Sequence, residues 1–266
     1  MTIATAGVLV FSVAPAGAGQ PGGTRFVTLG DSYSAGNGTT GAKRDECRRS
    51  DRSYGSLMAS SLGYDIRDPQ DFQNTACGNA STDDLINTQL DPVGPGTDVV
   101  TLTIGGNDRG VFLGAVAACG VNPVKALCEK TYKVASAFVE GELAGRLNKA
   151  YRAVDGKTGP NTRVLVGGYP HGYGDGTACP WPVPEENKDR LNDLADGIDQ
   201  VIRREVGEMG DRWGYVNPDF TGHELCTRDP WMWGMEKLSD DFSGVFHPND
   251  AGHRQYARSM LLGLRS

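Results

Sequence analysis

Short apolar runs rich in β-branched residues recur along the chain, separated by longer segments of mixed polarity. Runs of this kind are typical of strands buried on both faces of a sheet. They predict five strands, at Phe26–Leu29, Phe72–Thr75, Val99–Ile104, Val164–Gly168 and Gly214–Val216. The Val99–Ile104 run is the clearest of them.

Helical patterns lie between these strands. The segment from about Lys130 to Val154 carries apolar side chains at spacings of three and four, and Glu185–Val206 repeats the pattern. Ser81–Asp84 has the hydroxyl cap and early acids of a helix start, and Ala251–Leu264 is predicted as a final helix. Alternation of strands and helices predicts an α/β fold, a three-layer sandwich whose mostly parallel five-stranded sheet is flanked by helices.

Composition limits the possible partners. The chain has 266 residues, 38% of them hydrophobic, which is enough for a real core. Its formal net charge of −7 argues against binding to nucleic acid and against electrostatic docking on anionic membranes. No internal repeat or interdomain linker stands out, so residues 25–266 are predicted to form a single domain, and we expect a monomer.

The N-terminal segment predicts export. Gly7–Val13 is apolar and Ala14–Ala18 supplies small residues suited to cleavage, although the usual positive region is missing. We interpret residues 1–18 as a signal peptide of a secreted, extracellular protein and residues 19–24 as a flexible lead-in. The apolar stretch is too short to span a bilayer. A disordered tail is the alternative interpretation.

The cysteine count agrees with export. Six cysteines, an even number, suggest disulfides in an oxidising compartment, and six allow 15 pairings. A metal site is disfavoured because no Cys-x-x-Cys occurs and no histidine pair has ligand spacing beside the cysteines. We therefore expect no metal and no organic cofactor.

Four polar segments carry candidate chemistry, and three of them follow predicted strands. They are Gly30–Ser34, Ala76–Asn79, Ile104–Asp108 and Phe246–Asn249. Ligands of open α/β sheets bind beyond the carboxyl ends of the strands, so Ser32, Gly78 and Asn107 are expected near one another. A serine nucleophile needs an adjacent base such as histidine, and its tetrahedral intermediate needs fixed N–H donors.

Serine, glycine, asparagine and histidine in this order resemble the four signature blocks of the SGNH (GDSL) hydrolases. The resemblance runs from Phe26 to the C-terminus and implies a flavodoxin-like sheet. It implies Ser32 as nucleophile, His247 as general base, and an oxyanion hole formed by the N–H groups of Ser32 and Gly78 and the side-chain amide of Asn107. It also implies sequential disulfides, Cys47–Cys77, Cys119–Cys128 and Cys179–Cys226.

Four histidines compete for the role of base. His247 is favoured because it lies in the C-terminal block before Pro248 and the final helix. His171 follows a predicted strand and is the next candidate, whereas His253 belongs to the final helix and His223 to a loop.

The third triad position departs from the family pattern. The family carries an Asp three residues before the histidine, but Gly244 stands there in this chain. Asp240 and Asp241 lie seven and six residues upstream, too far to assume the same geometry. Some actinobacterial members of the family use a main-chain carbonyl instead. Our hypothesis is that the Val245 carbonyl orients His247, which makes the pair a dyad, with Asp240 or Asp241 as the alternative.

Aromatic residues near the histidine block suggest a substrate. Trp231, Trp233 and Trp181 could form an apolar wall for an acyl chain, although ordinary packing is the alternative. They favour a secreted serine hydrolase of lipid-like esters, such as a lipase, esterase or phospholipase. A carbohydrate acetylesterase or an acyltransferase could use the same site. A non-catalytic glycan- or lipid-binding module is the rival from another class.

Overall fold

The fold is described from a computed structural model of the chain. It describes residues 22–43, 45–121, 124–174, 179–181, 183–237 and 244–265. The predicted signal peptide, residues 19–21 of the predicted lead-in, and both Asp240 and Asp241 lie outside the described residues.

Five parallel strands form the central sheet, in the order β2-β1-β3-β4-β5. Their bounds are β1 Phe26–Gly30, β2 Phe72–Asn74, β3 Val99–Thr103, β4 Arg163–Gly167 and β5 Trp213–Val216. Strands β1 and β3 at the centre are buried along their whole length. The predicted strands are confirmed to within a residue or two, and the sheet is wholly parallel rather than mostly so.

Helices cover both faces of this sheet, which confirms the three-layer architecture. Helices α2 and α8 pack together on one face, while α6 and α7 pack together on the other, with α5 against α7. Within the described ranges the α-helices are α1 Ser32–Ala35, α2 Tyr54–Ser61, α3 Thr82–Asp84, α4 Val111–Ala115, α5 Lys125–Gly141, α6 Leu143–Asp155, α7 Glu185–Gly207 and α8 Asp250–Arg265. Short π-helical turns follow α3 at Leu85–Gln89 and α4 at Val116–Val121.

The long helix predicted from Lys130 to Val154 is instead two helices. Glu142 joins them with φ −118°, outside the helical range, directly after Gly141. Glycine is a weak helix former, so the chain bends there at low cost, and α5 and α6 can each pack against α7. The predicted start at Ser81 is correct, because Ser81 and Asp84 form a capping box.

Candidate active site

Ser32 begins α1 directly beyond the carboxyl end of β1. Gly30 ends the strand at φ +114°, and a Cβ there would clash with the Thr103 carbonyl of β3. The Asp31 side chain then accepts from the Tyr33 N–H at 3.0 Å and caps α1. This tight turn holds Ser32, which is 7% exposed, at the edge of the sheet.

His247 lies beside this serine. Its Nε2 is 2.7 Å from Ser32 Oγ, and its Nδ1 is 3.0 Å from the Val245 carbonyl oxygen. When Nδ1 carries the proton and donates to that carbonyl, Nε2 presents the lone pair that accepts the serine proton. The structure thus brings together the serine, the histidine and the carbonyl named in the dyad hypothesis.

Hydrogen bonds from residues distant in sequence fix the loop Val245–His247. Phe246, between Val245 and His247, has φ +61°, a conformation that is costly for a bulky residue. The Tyr33 hydroxyl donates to the Phe246 carbonyl at 2.8 Å. Trp233 pairs with the loop in both directions, accepting from the Phe246 N–H at 2.7 Å and donating to the His247 carbonyl at 3.0 Å. These bonds turn the Val245 carbonyl back toward the imidazole.

Of the three residues predicted to supply oxyanion donors, Ser32 and Asn107 line the cavity, but Gly78 does not. Asn107 lines the cavity that contains Ser32, and its amide donates to the Ala80 carbonyl at 3.3 Å, which leaves a second amide hydrogen. Gly78 does not face this cavity: it is buried, and its N–H donates to the Cys47 carbonyl at 3.0 Å. The neighbouring residue, Asn79, lines the cavity instead, with φ +65°. The Gly78 N–H is thus bonded away from the cavity, and Asn79 occupies the lining position that was predicted for Gly78.

The cavity over Ser32 has a volume of about 60 Å³. Apart from its polar groups, the cavity is lined mainly by apolar side chains. One wall is formed by α4 and the turn that follows it. The apolar side chains of the cavity include Phe112, Leu113, Val116 and Phe246. Phe112 and Leu113 of α4 were not predicted as site residues, although the apolar run that follows the Asn107 block could have indicated them.

The three tryptophans predicted as substrate-binding residues do not line this cavity. Trp231 stacks on the His223 ring at 3.7 Å. The Trp233 indole N–H donates to the Gly38 carbonyl at 2.6 Å, and Trp181 packs against Gly234. Their contacts are with loop residues outside this cavity, as the packing alternative predicts.

The other histidines lie away from Ser32. His171 Nε2 is 2.7 Å from an Asp196 oxygen in a separate surface cavity. His253 is fully buried in α8, and burial lowers its pKa to about 4. It is therefore a structural residue of the helix that follows the His247 loop.

The buried carboxyl group of Asp31 stabilises the turn that contains Ser32. Burial raises the pKa of Asp31 to about 6, although hydrogen bonds from Tyr169, Thr103 and Tyr33 oppose the shift. The Thr103 hydroxyl donates to it at 2.7 Å, and the Tyr169 hydroxyl also donates to it while accepting from the Gly106 N–H. This network connects the serine turn on β1 to the Gly106–Asn107 turn after β3.

Three disulfides join the pairs that the resemblance implied: Cys47–Cys77, Cys119–Cys128 and Cys179–Cys226. The first lies directly before Gly78 and Asn79, and the second closes the turn after α4. Among the described residues, no group of three or more His, Cys, Asp or Glu side chains is arranged to hold a metal ion. No helix within the described ranges is long and apolar enough to cross a membrane.

Comparison with known proteins identifies the family. Residues 28–255 match the GDSL-like lipase/acylhydrolase family. The chain is 34% identical over 253 residues to Lipase 1 of Streptomyces coelicolor, covering 94% of this chain and 90% of that protein. The chain therefore belongs to the GDSL-like lipase/acylhydrolase family, and it is a carboxylic ester hydrolase.

Solved structures agree with this assignment. The extracellular lipase of Streptomyces rimosus superimposes with a TM-score of 0.80 at 33% identity, covering 90% of this chain and 99% of that one. Phospholipase A1 of Streptomyces albidoflavus NA297 gives the same TM-score and identity, covering 90% and 98%.

Proposed function

We propose that this chain is a secreted serine hydrolase of lipid-like carboxylic esters, with Ser32 as nucleophile and His247 as general base. The observation that carries the proposal is the pair of contacts made by the His247 imidazole: Nε2 is 2.7 Å from Ser32 Oγ, and Nδ1 is 3.0 Å from the Val245 carbonyl oxygen. A neutral imidazole bonded in this way is in the tautomer that can accept the serine proton.

In the acylation step, Ser32 Oγ attacks the ester carbonyl carbon while its proton moves to His247 Nε2. The carbonyl oxygen becomes an oxyanion. Proposed donors to it are the N–H groups of Ser32 and Asn79 and the free amide hydrogen of Asn107. The Asn79 N–H is suited to this role because it makes no hydrogen bond within the described residues. Collapse of the intermediate breaks the ester C–O bond, and His247 Nε2 returns its proton to the leaving alcohol.

In the deacylation step, water attacks the acyl-enzyme and gives one proton to His247 Nε2. The second tetrahedral intermediate then releases the carboxylic acid, and the proton returns to Ser32 Oγ. The Val245 carbonyl holds the ring throughout, although it cannot neutralise the imidazolium as a carboxylate does. Water is the only co-reactant that this hydrolysis needs. An alcohol attacking the acyl-enzyme in place of water would make the reaction an acyl transfer.

An apolar acyl group fits the walls formed by Phe112, Leu113 and Val116. The relatives named lipase and phospholipase A1 support a lipid-like substrate for this chain as well. Secretion is supported by the three disulfides and by the extracellular relative from Streptomyces rimosus. Residues 25–266 are proposed as a single domain, since the family match spans 28–255.

Labelling with a fluorophosphonate tests the proposal, because only an activated serine reacts rapidly with it. Peptide mapping of the labelled protein should locate the adduct at Ser32, and Ser32→Ala should remove it. His247→Ala should slow labelling strongly, whereas His171→Ala should label at the wild-type rate. Absence of labelling in the folded wild type would favour a non-catalytic lipid- or glycan-binding protein.

A further inference from the structure

The Tyr169 hydroxyl lies between the two turns that carry the reacting groups of the proposed site. It donates to the Asp31 carboxyl group and accepts from the Gly106 N–H at 3.2 Å. Asp31 comes directly before Ser32, and Gly106 comes directly before Asn107. One side-chain oxygen therefore joins the residue before the nucleophile to the residue before the proposed amide donor.

Tyr169 is itself held in place by main-chain bonding and packing. It lies two residues beyond the end of β4 and is 4% exposed. Its N–H donates to a carboxyl oxygen of the buried Asp199 at 2.8 Å. Its ring meets Tyr33 edge-on, with 5.2 Å between centroids, and stacks on Phe112. The hydroxyl is thus a fixed point for both turns.

The turn that contains Asn107 is bonded through the residues on both sides of it in sequence. Before Asn107, glycine lets the tyrosine approach: a Cβ at Gly106 would lie 3.3 Å from both Cζ and the hydroxyl oxygen of Tyr169, closer than ordinary van der Waals contact. After Asn107, the Asp108 carboxyl group accepts from the N–H and the hydroxyl of Thr82. The position of the Asn107 amide therefore depends on both attachments.

We propose that Tyr169 is a positioning residue for the reaction, whose hydroxyl holds the Asn107 amide at the distance from Ser32 at which it can donate to the oxyanion. The inference rests on the proposed function, since it needs an oxyanion to form at Ser32 with Asn107 as a donor. Tyr169 lines the cavity, but a hydroxyl has only one proton, and this one is donated to Asp31. Tyr169 therefore acts through the two turns and not on the substrate.

Removal of this hydroxyl should weaken stabilisation of the transition state and leave substrate binding unchanged. Loss of a whole oxyanion donor costs about 100- to 1,000-fold in kcat. A displaced donor keeps part of its effect, and a misplacement of about 1 Å can cost about 100-fold. Tyr169→Phe keeps the ring and its packing. We expect it to lower kcat on p-nitrophenyl butyrate by about 10- to 100-fold, with KM within about twofold of wild type.

A double-mutant cycle with Asn107→Ala separates positioning from a general loosening of the fold. When the amide is absent its position no longer matters, so Tyr169→Phe should lower kcat by less than about threefold in the Asn107→Ala enzyme. A tyrosine that acted only on the fold or on Ser32 would give the same loss in both backgrounds. Labelling with a fluorophosphonate to completion counts the active sites, so that kcat refers to folded enzyme alone.

Tyr64→Phe is the matched control. The Tyr64 hydroxyl also donates to an aspartate, Asp98, at 3.2 Å, but at the amino end of β3, away from the catalytic cavity. This variant loses the same kind of hydrogen bond, and its kcat should stay within about twofold of wild type.

Gly106→Ala is a second probe of the same contact, because its methyl group would crowd the Tyr169 hydroxyl. It should lower kcat by about tenfold or more in the wild-type background and by less than about threefold in the Asn107→Ala background. If Tyr169→Phe does not fold, the cycle of Gly106→Ala with Asn107→Ala decides the question.

A kcat of folded Tyr169→Phe within about twofold of wild type would overturn the positioning role. So would an equal loss from Tyr169→Phe with and without the Asn107 amide. Both results leave the serine mechanism intact as long as Ser32→Ala is inactive. Retention of butyrate hydrolysis in Ser32→Ala would instead refute the proposed function, so the two failures are distinguishable.

Discussion

Replacement of the buried carboxyl group of Asp31 should change how stability depends on pH. Asp31 is 1% exposed, and burial raises its pKa from 3.8 to about 6. Between these two values the folded protein holds a proton that the unfolded chain has lost. The free energy of unfolding therefore falls as pH rises through this window, and the loss is complete above pH 6.

The size of the effect follows from the shift. A difference of about two pH units, at about 1.36 kcal/mol per unit, corresponds to about 3 kcal/mol of stability lost on going to high pH. Asp31→Asn removes the titration and keeps a side chain that caps helices well. If the amide of the Asp31→Asn variant makes weaker hydrogen bonds than the carboxyl group, the resulting loss of folding free energy does not depend on pH, because the amide does not titrate. Relative to wild type, the variant should gain about 2 to 3 kcal/mol between pH 4 and pH 8.

Urea unfolding of both proteins at pH 4 and pH 8, with disulfides intact, measures this difference. Asp250→Asn is the control, because the pKa of Asp250 is shifted in the opposite direction and the expected change in stability with pH is reversed. Partial burial alone would raise the pKa of Asp250, but hydrogen bonds from Thr40 and pairing with Arg52 lower it overall. Its stabilising contribution is present above the unfolded pKa and is lost as pH falls, so Asp250→Asn should lose stability relative to wild type at pH 8. An Asp31→Asn difference that is equal at both pH values would refute the reasoning.

Three further predictions concern the catalytic groups and their support. Asn107→Ala should lower kcat about 100- to 1,000-fold with little change in KM, measured on p-nitrophenyl butyrate; a loss below tenfold would exclude the amide as an oxyanion donor. Asp240→Asn and Asp241→Asn should each keep kcat within about tenfold of wild type, and a loss near 10⁴-fold in either would identify a carboxylate partner of the histidine. Replacing Cys47 and Cys77 by serine opens a loop of 30 residues and should lower the free energy of unfolding by about 3 to 4 kcal/mol in urea titrations; an unchanged midpoint would contradict this.

The sheet could be predicted because its determinants are local. Strands such as Val99–Thr103 are continuous apolar runs, and burial on both faces of a parallel sheet demands such runs. The break at Glu142 was not predicted, since apolar spacing continues on both sides of it. Only the packing of α5 and α6 against α7 reveals that the chain bends there.

The proximity of Ser32 and His247 could also be predicted, because Ser32 follows β1 at the carboxyl edge of the sheet and the resemblance to the SGNH hydrolases favoured His247 among the four histidines. The cavity-facing residue next to Cys77 could not be predicted, because the sequence does not show in which directions the N–H groups of Gly78 and Asn79 point. Gly78 points to the Cys47 carbonyl across a disulfide-bonded loop, a contact between residues far apart in sequence. The contacts of the tryptophans could not be predicted for the same reason: Trp233 is near His247 in sequence, but its indole N–H donates to the Gly38 carbonyl.

The most direct test of the account is the rate of ester hydrolysis by wild type and Ser32→Ala enzymes. Because Ser32 Oγ is 2.7 Å from His247 Nε2, we expect wild type to hydrolyse p-nitrophenyl butyrate and Ser32→Ala to lose that activity by at least about 10⁴-fold. Circular dichroism should show that both proteins are folded. Equal rates in the two folded proteins, or no hydrolysis by wild type of any ester from butyrate to dodecanoate, would contradict the assignment of Ser32 as the nucleophile.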